Sequence, residues 1–331
     1  MIITRRAGVP SIIWPLLILA ALLVFNAFFT KNFFHLEIKD GNLFGTLVDI
    51  MERSSVTMII AIGMTLVIAT KGIDISVGSV TAISGALAAV LITGGAPLSA
   101  AIIAPLLLVT AIGIWNAFLV TRVGIQPIIA TLIMMVAGRG IAQLITGGKQ
   151  IYFKGAGFAG FDFFGSGFLF GLPFSVSMAA FLLVLILLLT RKTALGLFIE
   201  ARGINPVAAR YSGVRVEAVT AFVYILSALC AGLAGFIVAS DIRAADPNTA
   251  GLGYELDAIL ATVIGGTSMD GGKFNLTGTI VGALVIQTLT TSILMLGVPV
   301  NITLVVRSLV VVAICILQSD RFKRFIRAEA K

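Results

Sequence analysis

The stretch 53–92, RSSVTMIIAIGMTLVIATKGIDISVGSVTAISGALAAVLI, holds two long apolar runs separated by a short polar break, KGIDIS. An α-helix rises about 1.5 Å per residue, so runs of this length approach the ~30 Å hydrocarbon thickness of a bilayer. Neither run alternates apolar and polar residues as a membrane β-strand would. The pair reads as two membrane helices joined by a tight polar turn.

The same pattern recurs on both sides. Of 331 residues, 59% are hydrophobic and 11% charged, against ~25% charged in an average soluble domain. That composition excludes a soluble fold. The apolar segments are 12–29, 53–70, 73–92, 98–121, 127–146, 173–190, 218–240, 257–266, 274–296 and 301–318. The expected fold is all-α: one polytopic membrane domain over residues 1–331, with about ten transmembrane helices. The eighth segment is short and ends in glycine, as a broken helix does. The first follows Arg5 and Arg6 but outruns a signal-peptide core and precedes no A-x-A site, so it reads as a retained helix. Residues 31–52 are expected to carry a short amphipathic helix on the outer surface.

The net charge of +8 fits basic residues gathered on the cytoplasmic side rather than nucleic-acid binding. With the N-terminus inside, Lys31, Lys39, Arg53, Lys149, Lys154 and Arg243 fall outside, and Arg139 and Arg307 within spans. The remaining basic residues fall inside: Arg5, Arg6, Lys71, Arg122, Lys273, those of segment 191–217, and Arg321, Lys323, Arg324, Arg327 and Lys331. Both termini are then cytoplasmic, segment 191–217 lies inside and loop 147–172 outside. Cys230 and Cys315 both lie in apolar runs, and His35 stands alone in a loop. Neither a disulfide framework nor a metal-ligand spacing results.

Two stretches echo each other: ATKGIDISVGSVTAISGALAAVLI (69–92) and ATVIGGTSMDGGKFNLTGTIVGALVIQ (261–287). Transporters are often built from repeats with helix breaks at matching places, so helices 2–5 and 7–10 form a candidate pseudo-repeat. The alternative is chance likeness between helices rich in small residues. Within the second stretch, TSMDGGKF lacks the first glycine and the hydroxyl residue of a phosphate-binding loop. It reads as a flexible break.

The segment EARGINPVAARYSGVRVEAV (200–219) is punctuated. Asn205 suits an N-cap, Pro206 the first helical turn, and Gly213 the position past the end where φ is positive. A short rigid helix on the inner face results: a docking element for a cytoplasmic partner, or a surface helix with none. Asp74 and Ser76 can cap the third helix or belong to a gate, and Asp270 is weighed likewise. Arg139 and Gln143 share a helix face. They either reach the outer surface or line a solute pathway with Asn116 and Gln126. Arg307 is expected to pair with Asp257 or Asp241. Met58, Met64, Met134 and Met135 read as packing, with a soft gate as the alternative.

The run GMTLVIATKGIDISVGSV (63–80), with QPIIATLIMMVAGRGIAQLITGG (126–148), ELDAILATVIGGTSMDGGKFNLTGTIVGALVI (255–286) and the punctuated segment, resembles the permeases of bacterial ATP-binding-cassette importers for ribose, xylose, galactose and galactofuranose. The likeness spans roughly residues 15–318 and is strongest to the galactofuranose branch. Lys71 stands where that family usually has glycine, and Ile75 where it often has leucine. The resemblance implies an importer-permease fold in the bacterial inner membrane. It implies translocation of a monosaccharide, galactofuranose-like favoured, by alternating access. The implied partners are a cytoplasmic ATP-binding subunit, a periplasmic sugar-binding protein and a second permease subunit, identical or related. ATP and Mg would sit on the partner, with no catalysis and no cofactor on this chain. The resemblance carries coupling onto Glu200, Gly203, Asn205, Ala208, Ala209 and Gly213. From the residues themselves, a helix break or gate is expected at Gly72, Asp74, Ser76, Gly78, Asp270 and Gly272. The wider family also serves branched-chain amino acids and nucleosides. An ion-coupled transporter is disfavoured, because the spans carry almost no Asp or Glu away from their ends.

Overall fold

The structure, a computed structural model, describes residues 12–153 and 158–318. Arg5, Arg6, Lys154, Arg321, Lys323, Arg324, Arg327 and Lys331, part of the charge bias above, lie outside these residues. The first half runs α1 (Ile13–Phe29), β1 (Leu36–Lys39), β2 (Asn42–Gly45), α2 (Thr46–Ala69), α3 (Val77–Thr93), α4 (Leu98–Phe118) with a π-helical turn Leu119–Val123, and α5 (Pro127–Thr146). Then come β3 (Ile151–Tyr152), the one-turn helices α6 (Phe158–Phe161) and α7 (Phe163–Ser166), β4 (Phe168–Leu169), β5 (Leu172–Pro173) and α8 (Phe174–Lys192). The chain continues through α9 (Leu195–Ile204), α10 (Pro206–Tyr211), α11 (Val216–Asp241), β6 (Ala244–Ala245), α12 (Tyr254–Ile264), α13 (Leu276–Met295) and α14 (Val300–Gln318).

Every apolar segment read from the sequence falls on a helix. Among the described residues six helices are long and apolar enough to cross a membrane: α2, α4 with its π-helical turn, α5, α8, α11 and α13. α1, α3 and Ile302–Val312 of α14 are apolar but shorter, and α12 has only 11 residues.

Two expectations are corrected. Residues 36–45 form an antiparallel hairpin, pairing Leu36 with Gly45 and Lys39 with Asn42, not an amphipathic helix. Asp40 and Gly41 take the left-handed φ values of 50° and 76° that a tight hairpin turn demands. The second helix starts at Thr46, seven residues before the expected Arg53, so Asp49, Glu52 and Arg53 belong to it. A hydropathy window stops at such charges, whereas a helix carries them where that face meets water.

α2 is the centre of the bundle. It is apolar around its circumference, as a fully enclosed helix must be, and every residue from Ser54 to Ala69 is buried. α11 lies between α2 and α3 and packs on both as well as on α4, while α12 packs directly on α13. Small residues make these contacts close. A Cβ on Gly63 would come within 2.7 Å of the Ser227 Cα, and one on Gly113 within 2.8 Å of the Ile225 Cα. Such contacts drive association where lipid removes the hydrophobic incentive. α4, α5 and α8 turn apolar side chains such as Leu107, Val136 and Phe181 outward.

Candidate functional site: a two-helix platform and a cavity at opposite ends

α9 and α10 sit together at the end of the bundle where α2 finishes. Asn205 caps α10, its side-chain oxygen accepting from the backbone N–H of Val207 at 3.0 Å and Ala208 at 3.1 Å. Gly213 has φ +84° with open space where a Cβ would be. Ala209 is buried beneath α10, while Val207 and Tyr211 are 62% and 90% exposed. Ala208 is exposed, and Glu200 lines a cleft of about 390 Å³ with Thr190, Arg191, Phe274 and Asn275. The punctuation therefore builds a rigid two-helix platform with apolar side chains facing solvent.

The platform meets both helix breaks. A Cβ on Gly203 would overlap the Ala69 carbonyl oxygen and the Gly272 nitrogen. The Gly272 N–H donates to the Ala69 carbonyl at 2.8 Å. Arg202 donates to the Thr70 carbonyl at 2.6 Å, and Lys71 Nζ to the Ile204 carbonyl at 3.2 Å. Lys71 has φ +57°, which accounts for glycine being usual there in the family it resembles. Burial pushes the Arg202 guanidinium below its ordinary value, partly opposed by Tyr224.

Asp74 lies deeper, with all its partners on neighbouring elements or its own turn. Its carboxylate accepts from Ser76 N–H at 3.1 Å, Ser76 Oγ at 2.6 Å and Ser227 Oγ at 2.9 Å. Asn116 Nδ2 donates to Ser76 Oγ at 2.9 Å, while Asn116 Oδ1 is buried without a partner. Asp74 thus organises the turn into α3, and Ser76 makes no side-chain cap of its own. Gly78 abuts Gly251, which leaves no room for a side chain between them. Asp270 does not repeat Asp74's role. It is exposed, its N–H donating to Ser268 Oγ, and the cap of α13 is Asn275, which accepts from Gly278 N–H at 3.0 Å.

The four residues read as lining a pathway do not converge. Asn116 joins the Asp74 network, and Gln126 is exposed before α5. Arg139 donates to the carbonyls of Pro247 and Ala250 at 3.1 and 2.6 Å, and Gln143 to Asn248 at 2.8 Å, so they hold the loop before α12. Asp246 in that loop has its carboxyl held below the usual range, first by the Thr249 hydroxyl, then by backbone N–H groups and Arg139. Arg307 does pair with Asp257.

A second cavity, about 850 Å³, opens at the end opposite the platform. Glu52, Asp257 and Gln287 line it, with Thr57 and Thr291. Sequence reasoning missed it, although Gln287, Thr290, Thr291 and Leu294 follow the i, i+3, i+4, i+7 spacing of one helix face. Beneath it, Thr65 Oγ1 bonds Thr279 Oγ1 at 2.8 Å and Thr262 Oγ1 at 3.3 Å. These hydroxyls join α2, α12 and α13 into a seal between cavity and platform.

Residues 46–315 match the family described as branched-chain amino acid transport system / permease component. The chain is 48% identical to the galactofuranose transporter permease protein YtfT of Escherichia coli K12, over 98% of this chain and 94% of that one. It is 38% identical to the fructose import permease protein FruF of Bifidobacterium longum, covering 97% and 94%. Identity to the ribose import permease protein RbsC of Escherichia coli K12 is 37%, covering 92% and 93%. No solved structure matches the chain. A multi-pass helical bundle, its break motifs meeting one platform, and full-length likeness to sugar-import permeases agree: the chain belongs to the branched-chain amino acid transport system / permease component family.

Proposed function

We propose that this chain is the membrane-crossing permease subunit of an ATP-driven monosaccharide importer, with a galactofuranose-like sugar as favoured cargo. The observation that carries the reading is end-to-end identity of 48% with a galactofuranose transporter permease. In this reading ten helices cross the inner membrane, both termini are cytoplasmic, and the two breaks mark a pseudo-repeat of helices 2–5 and 7–10. The exposed Val207 and Tyr211 of α10 receive a cytoplasmic ATP-binding subunit, which holds ATP and Mg and does the hydrolysis. A periplasmic sugar-binding protein delivers cargo to the end where the large cavity opens. A second permease subunit, identical or related, completes the pathway.

The mechanism follows from what touches what. Movement of α9–α10 displaces Gly203, and the backbones of Ala69 and Gly272 move with it. α2 ends at Ala69 and α13 begins just past Gly272, so both walls of the seal shift together. Alternating access is then a change in how α2, α12 and α13 meet at Thr65, Thr262 and Thr279.

The test is uptake of labelled galactose in furanose form, ribose, fructose and leucine by cells with and without the chain. Loss of one sugar, abolished by ATP depletion and indifferent to collapse of the proton gradient, is the expected result. Loss of leucine uptake alone overturns the cargo class, and dependence on the proton gradient overturns the energy source.

A further inference from the structure

From the cavity opposite the platform we infer a recognition site for a neutral polyhydroxylated solute, in which Glu52, Gln287, Thr291 and Ser175 select the cargo. The inference deepens the importer reading and rests on it. The volume of about 850 Å³ lies within the ~300–1,000 Å³ of small-molecule sites. The walls run from Thr46 to Thr57 on α2 and from Met295 back to Gln287 on α13. At about 1.5 Å per residue those faces reach some 12 to 16 Å into the bundle. This is a shaft rather than a surface dimple.

The lining chemistry narrows the occupant. Asp49, Glu52, Asp241 and Asp257 line the cavity with one basic residue, Arg53, and Arg53 is exposed. Arg307, behind the wall, is already paired with Asp257, which leaves Asp49, Glu52 and Asp241 against Arg53: an anion is repelled by this field, and a zwitterion finds no enclosed cation free for its carboxylate. Among the described residues no three acidic, histidine or cysteine side chains converge to hold a metal ion. Carboxylates accept from hydroxyls, whereas threonine and glutamine side chains both donate and accept. Within the importer reading, the ligand that fits this lining is uncharged and covered in hydroxyls.

A second observation, independent of the acids, points to a missing ligand. Ser175, the second residue of α8, lines the cavity at 1% exposure. Its hydroxyl makes no hydrogen bond. Threonine and serine hydroxyls elsewhere in the bundle bond either a carbonyl one turn earlier, as Thr65 does to Ala61 and Ser292 to Thr288, both at 2.6 Å, or a neighbouring helix or turn, as Ser227 does to Asp74. Ser175 sits in the first turn of α8, after Pro173, and uses no such partner. Buried polar groups are nearly always satisfied, so the Ser175 hydroxyl, just behind the cavity wall, is the group a solute hydroxyl would satisfy with a small shift of α8.

The test uses the assembled importer in proteoliposomes. Thr291→Cys is labelled from the cavity side with a membrane-impermeant thiol reagent, against the unsubstituted chain as background. D-galactose, D-ribose and D-fructose are probes and L-leucine the control. We expect the transported sugar to slow labelling at least threefold and leucine to leave it unchanged. We also expect Glu52→Gln, Gln287→Ala and Ser175→Ala to lower sugar uptake tenfold or more, or to alter preference among the three sugars. The amount of assembled importer in the membrane should remain. Equal labelling with and without the transported sugar, together with unchanged uptake and preference in all three variants, overturns the site while leaving the importer reading intact. Failure of the parental assembly to move any monosaccharide overturns both.

Discussion

The backbone N–H of Gly272 donates to the carbonyl of Ala69 at 2.8 Å, tying the end of the central helix to the break before α13. Gly203 fills the space beside this bond so tightly that even a Cβ would overlap both partners. Gly203→Val must therefore push backbone aside, and overpacking of this kind costs about 1–3 kcal/mol or more. The expected outcome is a lower unfolding temperature in detergent and loss of uptake. Gly140→Ala, at a glycine with nothing within 4 Å of its Cβ, is the matched control and should behave as the parent.

Asn205→Ala removes the only side-chain cap of α10 and should cost about 1 kcal/mol locally. Because α10 has only six residues, fraying it disturbs the platform without unfolding the bundle. ATP hydrolysis by the assembled importer should then lose its stimulation by cargo while the chain remains at its normal level in membranes. Gly213→Pro should act likewise, since proline fixes φ near −65° and Gly213 stands at +84°. Normal stimulated hydrolysis and uptake in both variants would count against the platform.

The threonine seal lends itself to a double-mutant cycle. Interhelical hydrogen bonds in membranes average about 0.6 kcal/mol. Thr65→Val and Thr279→Val should each destabilise on that order, and together by less than their sum, because both delete the same 2.8 Å contact. Unfolding in a denaturing detergent mixture measures this. Strict additivity would mean that the contact carries no coupling energy.

Asp246 gives the loop before α12 a pH dependence with a definite sign. Its folded carboxyl lies below its ordinary value, chiefly through the Thr249 hydroxyl at 2.7 Å. The stability it contributes is therefore present above the ordinary carboxylate range and lost as pH falls through the depressed folded value. Asp246→Asn should flatten the acid limb of the stability curve and leave stability at pH 7 to 8 less pH-dependent than its loss below pH 4. An acid limb identical to the parent's would remove Asp246 from that role.

Much of this architecture is legible in the chain because long apolar runs and cap residues act locally. Asn205, Pro206 and Gly213 announce a short helix by themselves, and α10 spans Pro206–Tyr211. The pairing of Arg307 with Asp257 follows from the cost of leaving charge near lipid. What local signals could not give is convergence. Nothing in the sequence says that Gly203 abuts Ala69 and Gly272, since that contact is made by backbone atoms without a side-chain signature. The grouping of Arg139 and Gln143 with Asn116 and Gln126 failed for a related reason: polar residues in apolar helices satisfy themselves on loops and turns as readily as they face a solute. The hairpin at 36–45 carries its signal in Asp40–Gly41, a tight-turn pair that decides so short a stretch over any amphipathic spacing.

Across the seal Thr65 meets the hydroxyls of Thr262 and Thr279, no charged group takes part, and each of the three hydroxyls also bonds a backbone carbonyl one turn earlier. Each such group can exchange a neighbour's hydroxyl for one of water or of a passing sugar without separating charge. Parting these helices here breaks no ion pair, and the close packing of Gly282 on the Ala261 backbone and of Gly278 on that of Gly265 supplies the rest of what holds α12 to α13. In the proposed importer the hydroxyl contact is then the part of the barrier that can re-form without loss, and direction would come from whatever drives the platform.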